Sequence, residues 1–303
     1  MTPTVTVGLD GSPESRAAVA WAADEAVLRG ADLRIVQVHD TGPYPYPAIY
    51  DEQAEREWTE RTGREAAAAL ARRNPSLRVG TEVVTGRPTH VLTELSGETS
   101  LLVLGSRGLG TVLGFVVGSV GLPVVAHSRC PVVLVRAPEQ EGQEDVLTAK
   151  AAGGNGDAAM ANDVVLGLQL DRSADDPLLA FAFDAAARRS AVLRVVHTWE
   201  LPPSFGIRPF AAVPGTAEEM ADEKTEALSD ALRPWREKYP AVDVEYQVVL
   251  GRAPHQLVEA ASDASLLVVG RRNRRSPIGT HLGSVTHAVL HHADVPVAVV
   301  PHD

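Results

Sequence analysis

The chain states one pattern twice. GRPTHVLTELSGETSLLVLGSRG, beginning at Gly86, returns 165 residues later as GRAPHQLVEAASDASLLVVGRRN, beginning at Gly251. The same offset carries Gly118 and Ser119 onto Gly283 and Ser284, His127 onto His292, and Pro131 onto Pro296. Nearer the front, ADLRIVQVHD from Ala31 matches AVLRVVHTWE from Ala191 at an offset of 160, with loops absorbing the difference. One domain present twice accounts for this. Half of a 303-residue chain is a comfortable size for a single hydrophobic core. Residues 137–161 are rich in glycine, alanine and acids with no apolar period, the composition of a flexible linker. The expected units are therefore 1–136 and 162–303.

Each unit alternates strand and helix signals. TVTVGL reads as a buried strand, and Ser12-Pro13 then offers an N-cap and a first-turn proline for a helix that ends at Arg29, before Gly30. LRIVQVH is a second strand, followed by a Tyr/Pro loop from Asp40 to Tyr50 and a charged helix to Arg73. LRVGTEVV, a short helix after Gly86, the strand LLVLG, a helix after Ser119 and the strand PVVLVR complete the unit. The second unit repeats the order from DVVLGLQL to PVAVVP. Near-continuous Val/Leu strands separated by helices imply a parallel sheet covered on both faces. The expected fold class is α/β: two tandem doubly wound, Rossmann-like domains, each on a five-stranded parallel sheet.

Composition narrows the function. With 28 Lys+Arg against 39 Asp+Glu, the net charge of −11 disfavours a surface devoted to nucleic acid or anionic membrane. A single cysteine, Cys130, allows no internal disulfide and no thiolate metal cluster. The opening MTPTVTVGLD has no signal-peptide pattern, and no long uncharged apolar run follows, so a cytoplasmic location is expected and a membrane partner is not.

In an open parallel sheet, ligands bind beyond the carboxyl ends of the strands, where strand order reverses. After the fourth strand comes Gly105-Ser-Arg-Gly108, then nine residues, then Gly118-Ser119 before a helix. Glycines permit close backbone approach there, and free N–H groups beside a serine hydroxyl suit phosphate oxygens. Asp10 ends the first strand, placed for a ribose or base edge. Neither a P-loop nor a Gly-x-Gly-x-x-Gly fingerprint occurs. At these residues the sequence resembles the universal stress protein family, in its tandem form and on its ATP-binding branch. The resemblance rests on Gly105-x2-Gly108-x9-Gly118-Ser119, on VTVGLDGSPESRAAVAWA and on HSRCPVVLVR, and spans both units.

That resemblance implies that Asp10 and Val38 meet the adenine end of ATP, while Gly105, Gly108, Gly118, Ser119 and Val120 surround ribose and phosphates. The second unit retains Asp171, Gly270, Gly283, Ser284 and Val285, but carries Asn273 for Gly108, Thr198 for Val38, and RSADDP for GSPES. The implied cofactor is ATP, with or without Mg2+. The implied role is a nucleotide-dependent regulator of the stress response working through a protein partner, with a slow ATPase or other hydrolase as the alternative. The family also implies that fifth strands pair, making the chain an intramolecular pseudo-dimer, with a homodimer as a further option.

Other residues invite plainer readings. Pro123, early in the last helix of the first unit, is expected to kink it. His291 and His292 read as surface or capping residues, His90 and His255 as packing and capping, and Cys130 as a buried inert thiol. No nucleophile stands with a base, and Ser119 reads as a helix cap that touches phosphate. The run Arg271-Arg272-Asn273-Arg274-Arg275 favours nucleotide phosphate over nucleic acid. The first site is expected to bind ATP more tightly, because the Asn273 amide would occupy ligand space and Asp175 and Asp176 would oppose phosphate charge.

Overall fold

The computed structural model of the chain describes residues 2–40, 52–106, 119–137, 163–170, 176–200, 216–273 and 282–303. It divides into two compact units, Met1–Gly153 and Gly154–Asp303. The linker expected at 137–161 lies outside the described residues except for Ala137.

The first unit runs β1 (Thr4–Gly8), α1 (Pro13–Arg29), β2 (Asp32–His39), α2 (Glu52–Arg73), β3 (Val79–Thr85), α3 (Pro88–Leu95), β4 (Leu101–Ser106), α4 (Gly121–His127) and β5 (Val132–Arg136). Its strands lie in the order β3-β2-β1-β4-β5, and neighbours run parallel. Order reverses between β1 and β4, the two strands whose ends carry Asp10 and Gly105. The second unit follows with β6 (Val164–Gly167), α5 (Pro177–Arg189), β7 (Leu193–Trp199), α6 (Thr216–Lys238), β8 (Val244–Leu250), α7 (Ala253–Ala260), β9 (Leu266–Arg272), α8 (Ser284–His292) and β10 (Val297–His302). Its parallel order is β8-β7-β6-β9-β10, the same arrangement.

The sheet centres are apolar on both faces, as the Val/Leu runs require: Val5, Val7, Leu101, Leu102 and Val103 have no exposed surface, nor have Val164, Val165, Leu166, Leu266 and Leu267. What covers these sheets differs. Helix α1 presents Ala17, Ala18, Ala22, Ala23 and Ala26, whereas α5 presents Leu178, Leu179, Phe181 and Phe183. Phe183 also stacks on Trp235 near the end of α6 and lies tilted against Tyr239 just beyond it, at centroid distances of 5.8 and 5.5 Å.

The α1 boundaries follow the sequence signals. The Ser12 hydroxyl accepts from Ser15 N–H at 3.2 Å, and Gly30 closes the helix in the left-handed conformation with φ 59°. Helix α5 ends the same way on Ser190, at φ 50°. The last helix of the first unit departs from expectation. It begins at Gly121 with Val120 at its cap, while its counterpart α8 begins at Ser284 with Gly283 at the cap. Pro123 is the reason. Had the helix begun at Ser119, the proline ring would collide with the Ser119 carbonyl four residues back. Starting at Gly121 places Pro123 where no intrahelical N–H bond is required, so there is no internal kink.

Candidate functional site

At the carboxyl ends of β1 and β4 a cavity is lined by Asp10, Val38, Gly105, Ser119 and Val120, together with Leu9, Ser12, Glu14 and Ser15. Five positions read from the sequence therefore converge on one space. Gly108 and Gly118 lie outside the described residues.

Asp10 is partly committed to shaping this loop. One carboxylate oxygen accepts from Ser12 N–H at 2.9 Å and from the Ser12 hydroxyl at 2.5 Å, and Asp10 N–H donates to the Ser15 hydroxyl at 3.3 Å. Gly11 follows with φ 84°, and the Trp58 indole from α2 covers it so closely that a Cβ there would stand 2.7 Å from the ring. Gly105 has a packing role that sequence reading missed. A Cβ at this position would meet the Glu14 and Ser15 backbone at 2.6–2.8 Å, so the glycine lets the alanine-faced α1 lie directly against β4. Ser119 does not cap a helix, since the cap is Val120 and no side chain bonds there.

The second cavity is lined by Gly270, Gly283, Ser284 and Val285 as expected, and also by Gln169, His197, Thr198, Arg272, Thr286 and His302. Strand register corrects one correspondence. Val5 opposes Leu33 and Leu101, as Val164 opposes Leu193 and Leu266. Leu9 N–H then donates to Val36 O, as Leu168 N–H donates to Val196 O. The residue after each leucine holds the place beyond the first strand: Asp10 in one unit and Gln169 in the other. Asp171 stands two residues further on, outside the described residues. By the same register His197 replaces Gln37, and His302 replaces Ala137.

Of the grounds for expecting a weaker second site, the Asn273 amide and the Asp176 carboxylate are both engaged elsewhere, whereas Asp175 lies outside the described residues. Among the described residues only Ser190 has a positive φ without being glycine, so Asn273 is not left-handed. Its amide donates instead to Asp303 Oδ1 at 3.1 Å. Asp176 is buried as the cap of α5, accepting from Leu178 N–H at 2.8 Å. Asp175, Arg274 and Arg275 lie outside the described residues. The arginine run is split by strand alternation: Arg272 lines the cavity, while Arg271 is buried, which lowers its pKa.

The remaining titratable groups are plain. Burial pushes the Cys130 thiol up to about 12, as an inert thiol requires. His90 and His255 are exposed rather than packed, each beside a glutamate one turn on, at 3.2 and 3.6 Å. The His291 ring lies 4.5 Å from that of His287. Among the described residues no three His, Cys, Asp or Glu side chains are grouped to hold a metal ion, and no helix is long and apolar enough to cross a membrane.

Comparison with known proteins agrees with the repeat. The sequence pattern described as "Universal stress protein family" matches residues 1–136 and again 160–301. Two curated universal stress proteins of Mycobacterium tuberculosis strain H37Rv are 33% and 32% identical to this chain, covering 97% and 99% of it and 96% of each relative. The crystal structure of a universal stress protein from Archaeoglobus fulgidus DSM 4304 has the same fold, with a TM-score of 0.65 at 16% identity over 99% of this chain and 98% of that one.

Proposed function

This chain belongs to the universal stress protein family, and from that premise we propose that it binds an adenine nucleotide, ATP, and works as a nucleotide-dependent regulator rather than a metabolic enzyme. The observation that carries the reading is the convergence of Asp10, Val38, Gly105, Ser119 and Val120 on one cavity at the strand-order reversal. Val38 packs with the buried Val36, Val91 and Leu95, giving the adenine end an apolar wall. Ser119 and Val120 line the same cavity and, in this reading, meet the phosphates. Occupancy of this space would fix the turn between β4 and α4, and that surface change would be what a protein partner reads.

Calorimetric titration of the full chain with ATP tests the proposal, using Ser119→Asp to set a carboxylate against the phosphates. Affinity should fall about tenfold or more, the scale of one opposed charge pair in a partly desolvated site. Unchanged affinity in the folded variant would refute it. Steady ATP turnover that Ser119→Asp abolishes would favour the hydrolytic alternative. We also propose, on the family resemblance, that the two units associate through their fifth strands; lysine at Val133 and Val135 should then enlarge the radius seen by small-angle scattering. An unchanged radius would count against that association.

A further inference from the structure

We propose that His287 and His291 form a two-imidazole site on α8 for a divalent transition-metal ion of the Ni2+ or Cu2+ class. Neither histidine lines a cavity described above, so the inference stands apart from the nucleotide reading.

Spacing supplies the first reason. Residues four apart on a helix lie on one face, one turn above the other, which is how a single helix offers two imidazoles to one ion. Helix α8 is regular through both positions: His287 N–H donates to the Gly283 carbonyl at 2.9 Å, and Thr286, Val289 and Leu290 anchor the inner face by burial. His287 is exposed and His291 half-buried, so an ion reaches the pair from solvent. The adjacent His292 points about 100° away from His291 and stands outside the pair.

The rings already stand at a chelating distance. Their centroids are 4.5 Å apart, with the planes inclined at 47°. An ion about 2.1 Å from one nitrogen of each ring, in cis positions of an octahedron or square plane, would set the centroids about 4.5 Å apart, whereas a tetrahedral ion would spread them to roughly 5 Å. Imidazole nitrogens without a carboxylate suit Ni2+ and Cu2+ far better than Mg2+ or Ca2+. Among the described residues no third His, Cys, Asp or Glu joins the pair, so water would complete the shell. The first unit supplies an internal contrast. Carried back 165 residues, the pair falls on Leu122 and Ala126 of α4, which offer no ligand. His90 and His255 each have a glutamate one turn on instead of a second imidazole, at 3.2 and 3.6 Å.

Nickel chloride, titrated by calorimetry into the full chain free of any affinity tag, is the test. A single ion should bind, and His287→Ala and His291→Ala should each weaken it about tenfold or more, since either change leaves a lone imidazole. Affinity should stay within about twofold in His90→Ala, His255→Ala and His292→Ala, and Mg2+ at about 5 mM should not compete. A second reading keeps the ligands in view should a variant lose stability: one equivalent of Cu2+ on the unaltered chain should show two imidazole nitrogens in its electron paramagnetic resonance spectrum. Failure of the chain to bind Ni2+, full binding in His287→Ala or His291→Ala, or a site lost in His292→Ala instead would overturn the inference.

Discussion

The two units share a sheet order and differ in how near the first helix comes to it. In the first, the alanine face of α1 lets backbone meet backbone at Gly105. In the second, the leucines and phenylalanines of α5 occupy that interval, and the space over Gly270 is filled by the Leu178 and His302 side chains. Helix side-chain size thus decides whether the strand end is closed by peptide or by ionisable groups. A duplicated fold can change what lines its cavity by changing what stands over one glycine, with strand register untouched.

The largest expected effect tests that contrast directly. Gly105→Ala should cost about 1–3 kcal/mol in urea unfolding, because its methyl group meets backbone that cannot step aside. Gly283→Ala should stay within about 0.5 kcal/mol. Equal losses would mean that the close backbone approach at Gly105 adds no cost of its own. A smaller effect compares the helix ends: Ser190→Gly should stabilise the second unit by about 0.5–1 kcal/mol, since Ser190 holds the left-handed conformation that Gly30 adopts at no steric cost. Melting curves of the reciprocal Gly30→Ser should show the opposite sign.

The smallest concerns Arg194, which ties β7 to Asp263 at 2.7 Å and to Asp163 at 3.2 Å. The hydrogen bond from Arg194 holds the Asp263 carboxyl below its ordinary value of 3.8. A lowered folded pKa gives stability that is present above the unfolded value and fades as pH falls through the folded one. Asp263→Asn should therefore cost about 0.3–0.5 kcal/mol at pH 7, after allowance for solvent screening, and progressively less as pH falls through the lowered pKa of Asp263. A loss that persists in acid would mean that the pair does not act through its charge.

The repeat, the Val/Leu strands and the helix caps made the architecture legible, since each is a local signal written in adjacent residues. Residues Asp10, Val38, Gly105, Ser119 and Val120 were legible as a set because strand order brings them together. What escaped depends on register and on the third dimension. Matching Asp10 with Asp171 by letter overlooked that strand pairing puts Gln169 in its place. His302 was invisible as a site residue because only the ladder from Val300 to Gly270 carries it over the cavity. The Asn273 amide seemed to compete with ligand only until its bond to Asp303 was seen. Pro123 announced a disturbance correctly, but chain geometry turned a kink into a later start.

The Trp58 ring over Gly11 gives the molecule an optical property as well as a packing contact. An indole that is 44% exposed yet pressed on the peptide between Asp10 and Ser12 emits according to the position of that one loop. In the second unit, the cation of Lys224 lies 5.8 Å from the Trp199 ring centroid, and that tryptophan is 8% exposed. Buried and exposed indoles emit at different wavelengths, so red-edge fluorescence weights Trp58, and with it the Gly11 loop, over the buried Trp199 without any label attached.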